Sequence, residues 1–304
     1  MLDNFGREHN YLRLSVTNQC NFNCNYCKIE QNKKNLLSLN EINNILIAFY
    51  NLGFVKLRLT GGEPFARKDI FEIIDIAYKI GYRSINITTN GSFNDEILKK
   101  VIESPIDSIN ISLDSIERDT FIKLTKSDKL SSVIKNIKIL KEYKKVKINT
   151  VLLKDYNLFQ VDKLIHFAKE NDVLIRFIEL MPIGMAKELF ENQYVSKDDI
   201  LSKYTYVKLI NNGTVSDYYF LTEYATIIGI IDSVSNCFCQ RCNRLRVSSE
   251  GYLYNCLFDT NYLDLNGYLH SSELLQEKIK NYIYLKNERR KSDLSENSMQ
   301  MIGG

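Results

Sequence analysis

The sequence predicts an α/β protein: a partial (βα)6 barrel of the TIM type, followed by an α+β extension that carries a second metal site. Three observations carry this expectation. Six short extended runs alternate with amphipathic segments between residues 11 and 181, the pattern of a parallel sheet with helical crossovers. The alternation stops at Pro182, which sets a division into residues 1–185 and 186–304. All seven cysteines fall in two groups, 20–27 and 237–256, one in each part.

The length of 304 residues suits one large domain or two smaller ones with ample core. A net charge of +3 without a long basic block gives no sign of a nucleic-acid partner. No apolar run approaches a membrane span, and residues 1–7 lack the apolar centre of a secretory signal. The expected compartment is therefore reducing and cytoplasmic. His9, His166 and His270 are scattered, and no Ser-His-Asp or paired-carboxylate set can be nominated.

The extended runs are 11–17, 55–60, 84–90, 108–114, 146–153 and 174–181. Between them, Ser38 and Glu41 form a capping box that opens a helix. Ile70, Ile73, Ile74 and Ala77 make a stripe at helical spacing, as do Val133, Ile137 and Leu140. A parallel sheet covered by helices on both faces should be apolar on both. These runs alternate instead. Leu12, Leu14 and Leu57 fall on one face, while Arg13, Arg58, Thr88, Ser112 and Lys147 fall on the other. With the apolar face on the helices, the polar face lines the lumen, where a closed barrel usually packs branched aliphatics. The lumen is expected to hold a large polar ligand. An antiparallel sheet with one wet face is the alternative, and the intervening helices oppose it.

Polar signals gather where the runs end: Gly61-Gly62-Glu63-Pro64, Thr88-Thr89-Asn90-Gly91, Ser112-Leu113-Asp114 and Glu179-Leu180-Met181. That rim is where parallel αβ folds bind ligands, and both glycines allow a close approach to the backbone. The same rim carries Cys20, Cys24 and Cys27, spaced to hold three corners of an iron–sulfur cube with one iron left open. A structural zinc knuckle, which closes with four ligands, is the alternative.

Residues 204–235 read as β-rich, with Asn212-Gly213 as a hairpin turn. Cys239, Cys242 and Cys256 then have metal-site spacing, with Cys237 as a bystander or as the fourth ligand of a closed zinc site. Arg244 and Arg246 share a face beside them and suit a polyphosphate. Residues 271–286 read as a helix, and the Gly303-Gly304 end reads as a tail.

Cys20-x-x-x-Cys24-x-x-Cys27, with Tyr26 and Gly61-Gly62-Glu63-Pro64, resembles the radical S-adenosylmethionine superfamily. The run Cys239-x-x-Cys242-Asn243-Arg244-Leu245-Arg246, then Cys256 and the Gly-Gly end, is similar to its MoaA family, the GTP 3′,8-cyclases of molybdenum cofactor biosynthesis. The resemblance runs nearly end to end.

It implies a [4Fe-4S] cluster on Cys20, Cys24 and Cys27, and a second on Cys239, Cys242 and Cys256 whose open iron meets guanine. It implies that Tyr26, Gly62, Ser112 and Met181 contact S-adenosylmethionine, and that Arg13, Arg58, Thr88, Lys147, Arg244, Leu245 and Arg246 contact GTP. A 5′-deoxyadenosyl radical would take hydrogen from ribose C3′, and the C3′–C8 bond would follow. Arg13, Arg244 and Arg246 would stabilise radical and triphosphate, and Gly303 and Gly304 would reach into the site. An electron donor and a functional link to MoaC, the next pathway enzyme, are implied as well, and a homodimer is allowed. The alternatives are a peptide-modifying radical enzyme with an auxiliary cluster and a non-enzymatic zinc-binding protein. Metal analysis separates the second of these.

Overall fold

A computed structural model of the chain describes residues 1–27, 36–210 and 215–290. The six extended runs form β1 (Tyr11–Ser15), β2 (Lys56–Thr60), β3 (Ser84–Thr89), β4 (Ser108–Ser112), β5 (Lys145–Leu152) and β6 (Leu174–Glu179). Each pairs in parallel with the next. Between them run α1 (Leu39–Asn51), α2 (Ile70–Ile80), α3 (Asp95–Glu103), α4 (Arg118–Thr125), α5 (Leu130–Leu140) and α6 (Val161–Glu170).

Local sequence explains the ends. The Ser38–Glu41 capping box opens α1, Asn94 caps α3, and Gly81 closes α2 in the left-handed conformation at φ 108°. Leu12, Leu14, Leu57, Leu59, Ile87, Ile109 and Ile111 leave no surface to water and pack with helix residues such as Ile45, Phe49, Ile73 and Val133 in one core. Each such side chain contributes about 1.5–3 kcal/mol by burial. The polar alternates face the other way, into the lumen.

The extension begins with α7 (Ala186–Gln193) and α8 (Lys197–Leu201), and continues through β7 (Tyr206–Lys208), β8 (Asp217–Leu221) and β9 (Thr226–Ile231). After β10 (Arg244–Val247), β11 (Tyr252–Tyr254) and β12 (Leu263–Asp264), α9 (Ser272–Tyr284) packs on α1. β9 pairs in parallel with β6, and β10 pairs in parallel with β1. The extension thus adds a parallel strand to each edge of the barrel sheet, and the order is β12-β11-β10-β1-β2-β3-β4-β5-β6-β9-β8-β7. β1 and β6 bond to these strands rather than to each other, so the barrel is partial.

β7 and β8 pair antiparallel as the hairpin reading expects, while the Asn212-Gly213 turn itself lies outside the described residues. So do Gly303 and Gly304. Among the described residues no helix is long and apolar enough to cross a membrane.

Candidate active site

The first cysteine group sits at the C-terminal end of β1. Its backbone is anchored on the end of α4: Asn23 N–H donates to the Thr125 carbonyl and Asn25 N–H to the Leu124 carbonyl, both at 3.0 Å. Cys27 N–H closes a turn onto the Cys24 carbonyl at 3.0 Å. Burial pushes the Cys24 thiol well up, and Cys27, Asp114 and Cys20 push it the same way, so the three sulfurs are electrostatic neighbours. The Tyr26 hydroxyl donates to Asp114 at 2.5 Å, and burial together with Asp114 raises its pKa strongly. Ser112 and Met181 are half-buried on the same rim, with Met181 packed against the cluster of Ile183, Tyr254, Leu257 and Phe258.

Gly61 and Gly62 do allow a close approach, but the chain itself makes it. Gly62 N–H donates to the Thr17 carbonyl at 2.8 Å and Glu63 N–H to the Gln19 carbonyl at 2.7 Å, which fixes the stem of the cysteine loop. Glu63 completes the frame: its carboxylate accepts from the Thr89 hydroxyl at 2.7 Å and from Asn90 N–H at 2.7 Å. Asn90 in turn donates to Asn21 at 2.7 Å and lies 3.9 Å from the Cys20 sulfur.

Burial raises the Glu63 pKa from 4.5 to about 7 despite those donors. The folded chain therefore holds this proton more tightly than the unfolded chain. Its contribution to stability is complete below pH 4.5 and is lost as pH rises through about 7. Urea midpoints should show a difference between wild type and Glu63→Gln that changes by on the order of 3 kcal/mol between about pH 4 and about pH 8. A difference that is constant with pH would contradict this.

The lumen is cationic. Arg246, Arg13 and Arg58 stand side by side, because β10, β1 and β2 are parallel and in register at these residues. Neighbouring strands are about 4.8 Å apart, and like charges held opposite one another destabilise a sheet. Arg58 donates to the Tyr11 hydroxyl, to the Ile87 carbonyl at 3.3 Å and to Thr88 at 3.4 Å. Across the lumen are Lys147 on β5 and Arg176 on β6, whose guanidinium donates to Asn149 Oδ1 at 3.0 and 2.6 Å. Opposite Arg176 stands Gly229, where an added Cβ would lie 2.7 Å from Arg176 Cγ.

Burial, then Arg246, pulls the Arg13 pKa well down; burial, then Arg58, pulls Arg176 to about 10. Burial would raise Tyr11, but Arg58 and Arg13 outweigh it and hold the phenol at about 8. This wall is built for a polyanion.

The second cysteine group lies at the opposite end of the strands. Cys242 precedes β10, which runs parallel to β1, and Cys256 follows β11, which runs antiparallel to β10. With about 3.3 Å per residue, the five residues of β1 separate the two groups by roughly 13 Å or more. Cys239 opens the short turn Cys239–Arg241, and Cys242 N–H donates back to its carbonyl at 3.2 Å. Burial would push the Cys242 thiol up, but Lys286 and Arg244 outweigh it and hold it at about 6. Burial raises Cys256, which also feels Cys242. Cys237 is exposed and lies against the Cys239 thiol.

Glu179 ties this region to β6 by accepting from Val234 N–H and Ser235 N–H, each at 2.9 Å. Arg244 and Arg246 face the lumen as expected. Leu245 does not: it pairs with Leu12 and is fully buried in the helix-side core, so alternation removes its side chain from the lumen.

Each triad offers three thiols, the donor set of an iron–sulfur cluster that keeps one iron open. Among the described residues no three His, Cys, Asp or Glu side chains converge on a single metal ion. Sequence reasoning did not nominate Arg176, Tyr11 or Lys286. Alternation marks Arg176 as lumenal, and Lys286 extends the buried stripe Leu275, Ile279, Ile283.

Residues 14–168 match the Radical SAM superfamily, and residues 173–295 match Molybdenum Cofactor Synthesis C. The fold is shared with Streptococcus suis SuiB bound to S-adenosylmethionine, at TM-score 0.68 and 15% identity over 97% of this chain and 78% of that one. Native anSMEcpe with bound AdoMet gives a TM-score of 0.58 at 18% identity, over 91% and 81%. At these identities the likeness is one of fold. With an open αβ barrel and a three-cysteine loop at its rim, the protein is a radical SAM enzyme, a class that uses a [4Fe-4S] cluster and S-adenosylmethionine.

Among curated proteins, a GTP 3′,8-cyclase of Clostridium botulinum (strain Okra / Type B1) is 35% identical over 319 residues, covering all of both chains. One from Clostridium perfringens (strain 13 / Type A) is 36% identical over 326 residues with the same coverage. One from Haemophilus ducreyi (strain 35000HP / ATCC 700724) is 35% identical, over 100% of this chain and 95% of its own. The chain belongs to this GTP 3′,8-cyclase family.

Proposed function

We propose that the chain converts GTP to 3′,8-cyclo-7,8-dihydro-GTP, the first step of molybdenum cofactor biosynthesis, in the lumen between its two cysteine triads. The observation that carries this reading is the row Arg246, Arg13 and Arg58 across that lumen. Cys20, Cys24 and Cys27 hold the first [4Fe-4S] cluster, with Tyr26, Gly62, Ser112 and Met181 around S-adenosylmethionine. Cys239, Cys242 and Cys256 hold the second, and Cys237, exposed, stands by. The chemistry these groups supply when bound is a 5′-deoxyadenosyl radical at ribose C3′ and an open iron for guanine.

The protein's own part is placement. Arg13, Arg58, Arg246 and Arg176 neutralise the triphosphate; Thr88 and Lys147 line the same chamber. Arg244, beside Cys242, sits where nucleotide and second triad meet. Buried walls exclude water from the radical, and fixed geometry replaces diffusional encounter. Residues 1–185 form the radical-generating part and 186–304 the substrate-end part. An electron donor and a functional link to MoaC follow from the same reading.

Anaerobic incubation of the iron-reconstituted chain with S-adenosylmethionine, a strong reductant and GTP should yield 5′-deoxyadenosine in a GTP-dependent manner. Deoxyadenosine formation indifferent to GTP would overturn the choice of substrate.

A further inference from the structure

We infer that Lys286 is a positioning residue for the second triad, raising the reduction potential of the cluster held there and tying it to the strand that carries Arg244 and Arg246. This rests on the two-cluster reading above. Lys286 follows α9 by two residues and is only 4% exposed. Its ammonium donates to the Arg244 carbonyl at 2.8 Å and lies 3.7 Å from the Cys242 sulfur. A buried ammonium requires partners, and a thiolate that ligates iron is an anionic one. Hydrogen bonds and positive charge at ligand sulfurs are among the factors that set iron–sulfur potentials, and they favour the reduced, more negative cluster.

The placement is held from both sides. Upstream, Lys286 N–H donates to the Ile283 carbonyl at 3.0 Å, at the end of the buried stripe of α9. Downstream, Arg7 grips the next two residues: its guanidinium donates to the Asn287 carbonyl at 2.7 Å and to the Glu288 carbonyl at 2.9 Å. The same guanidinium donates to the Cys239 carbonyl at 2.9 Å, so one side chain joins the lysine segment to the cysteine turn. Asp3 fixes Arg7 at 2.6 Å and is itself fixed by fully buried His9 at 2.9 Å. The Arg244 guanidinium lies 4.9 Å from the ring of Phe238, the residue before Cys239. The lysine therefore bridges a cluster ligand and a nucleotide-binding strand.

The test is a redox titration, followed by electron paramagnetic resonance, of the full reconstituted chain and its Lys286→Met, Lys286→Gln and Lys286→Arg variants, with iron and sulfide counted in each. For Lys286→Met, one of the two midpoint potentials should fall by about 59 mV, a tenfold drop in the reduced-to-oxidised ratio at fixed potential, and the other should stay. Lys286→Arg should recover most of the shift, and Lys286→Gln less. An unchanged pair of potentials in Lys286→Met overturns the inference. Should Lys286→Met fail to assemble its second cluster, the Gln and Arg variants decide: a lower potential in Gln supports the inference, and equality overturns it. A wild-type chain with one cluster, or with zinc, removes the two-cluster reading and the inference with it.

Discussion

Arg246→Met is expected to weaken GTP binding about a hundredfold and, at the same time, to raise the melting temperature of the nucleotide-free protein by a few degrees. The two effects have one cause. Arg246 is buried in register with Arg13, and Arg244 stands two residues away on the same face. Burial, then Arg244, pulls its pKa from 12.5 to about 10, which places the folding penalty of its charge on the order of 3 kcal/mol. A guanidinium stays protonated, so the fold carries the cost of burying it charged beside Arg244.

Methionine keeps much of the stem and removes the charge. Without nucleotide the row relaxes; with GTP, the triphosphate loses a fork-shaped donor in a desolvated site. The loss should shrink from GTP to guanosine, since the phosphates are what the row addresses. Anaerobic equilibrium dialysis and scanning calorimetry on the same preparations check both signs. A melting temperature that falls together with affinity would mean that Arg246 holds the fold rather than the ligand.

Much of this site was legible before any coordinates. Period-2 alternation within six runs, separated by segments of helical period, gives both the parallel sheet and its inward polar face. Arg13, Arg58, Thr88 and Lys147 follow from that alone. What local pattern could not show is pairing at a distance. β9 and β10 join opposite edges of the sheet without a helix between them, so crossover logic did not place them. The row of three arginines depends on β10 lying in register with β1, more than two hundred residues earlier in the chain.

Leu245 shows what alternation does settle: its neighbours share the other face, so its side chain is buried in the helix-side core and only its backbone is left to meet a ligand. Lys286 was hidden by habit. A lysine at the last position of a helix usually reads as solvated, yet this one ends an apolar stripe, and a charge on such a stripe requires a buried partner.

Gly62→Ala should remove the first cluster and spare the second, halving the iron bound after reconstitution. The obstacle is the approaching chain. A Cβ at position 62 would lie 2.1 Å from the Gln19 carbonyl oxygen, 2.6 Å from its carbon and 3.1 Å from the Asn18 carbonyl carbon. All three are backbone atoms, so no side chain can swing aside to relieve the clash. Two hydrogen bonds, Gly62 N–H to Thr17 and Glu63 N–H to Gln19, keep the segments together and would have to open.

Residue 19 precedes Cys20, so any retreat of this backbone carries the first thiol away from Cys24 and Cys27. The second triad hangs on β10, β11 and the segment after α9, whereas the atoms nearest an added Cβ at position 62 all belong to residues 18 and 19. The cost in stability should be about 1–3 kcal/mol, as for other overpacked sites. Iron counts, the resonance signals of the two clusters and urea midpoints together test this. A variant with full iron and wild-type stability would show that β2's rim does not press on the cysteine loop. If both clusters were lost together, the lumen would be a single cooperative unit rather than two separately anchored ends.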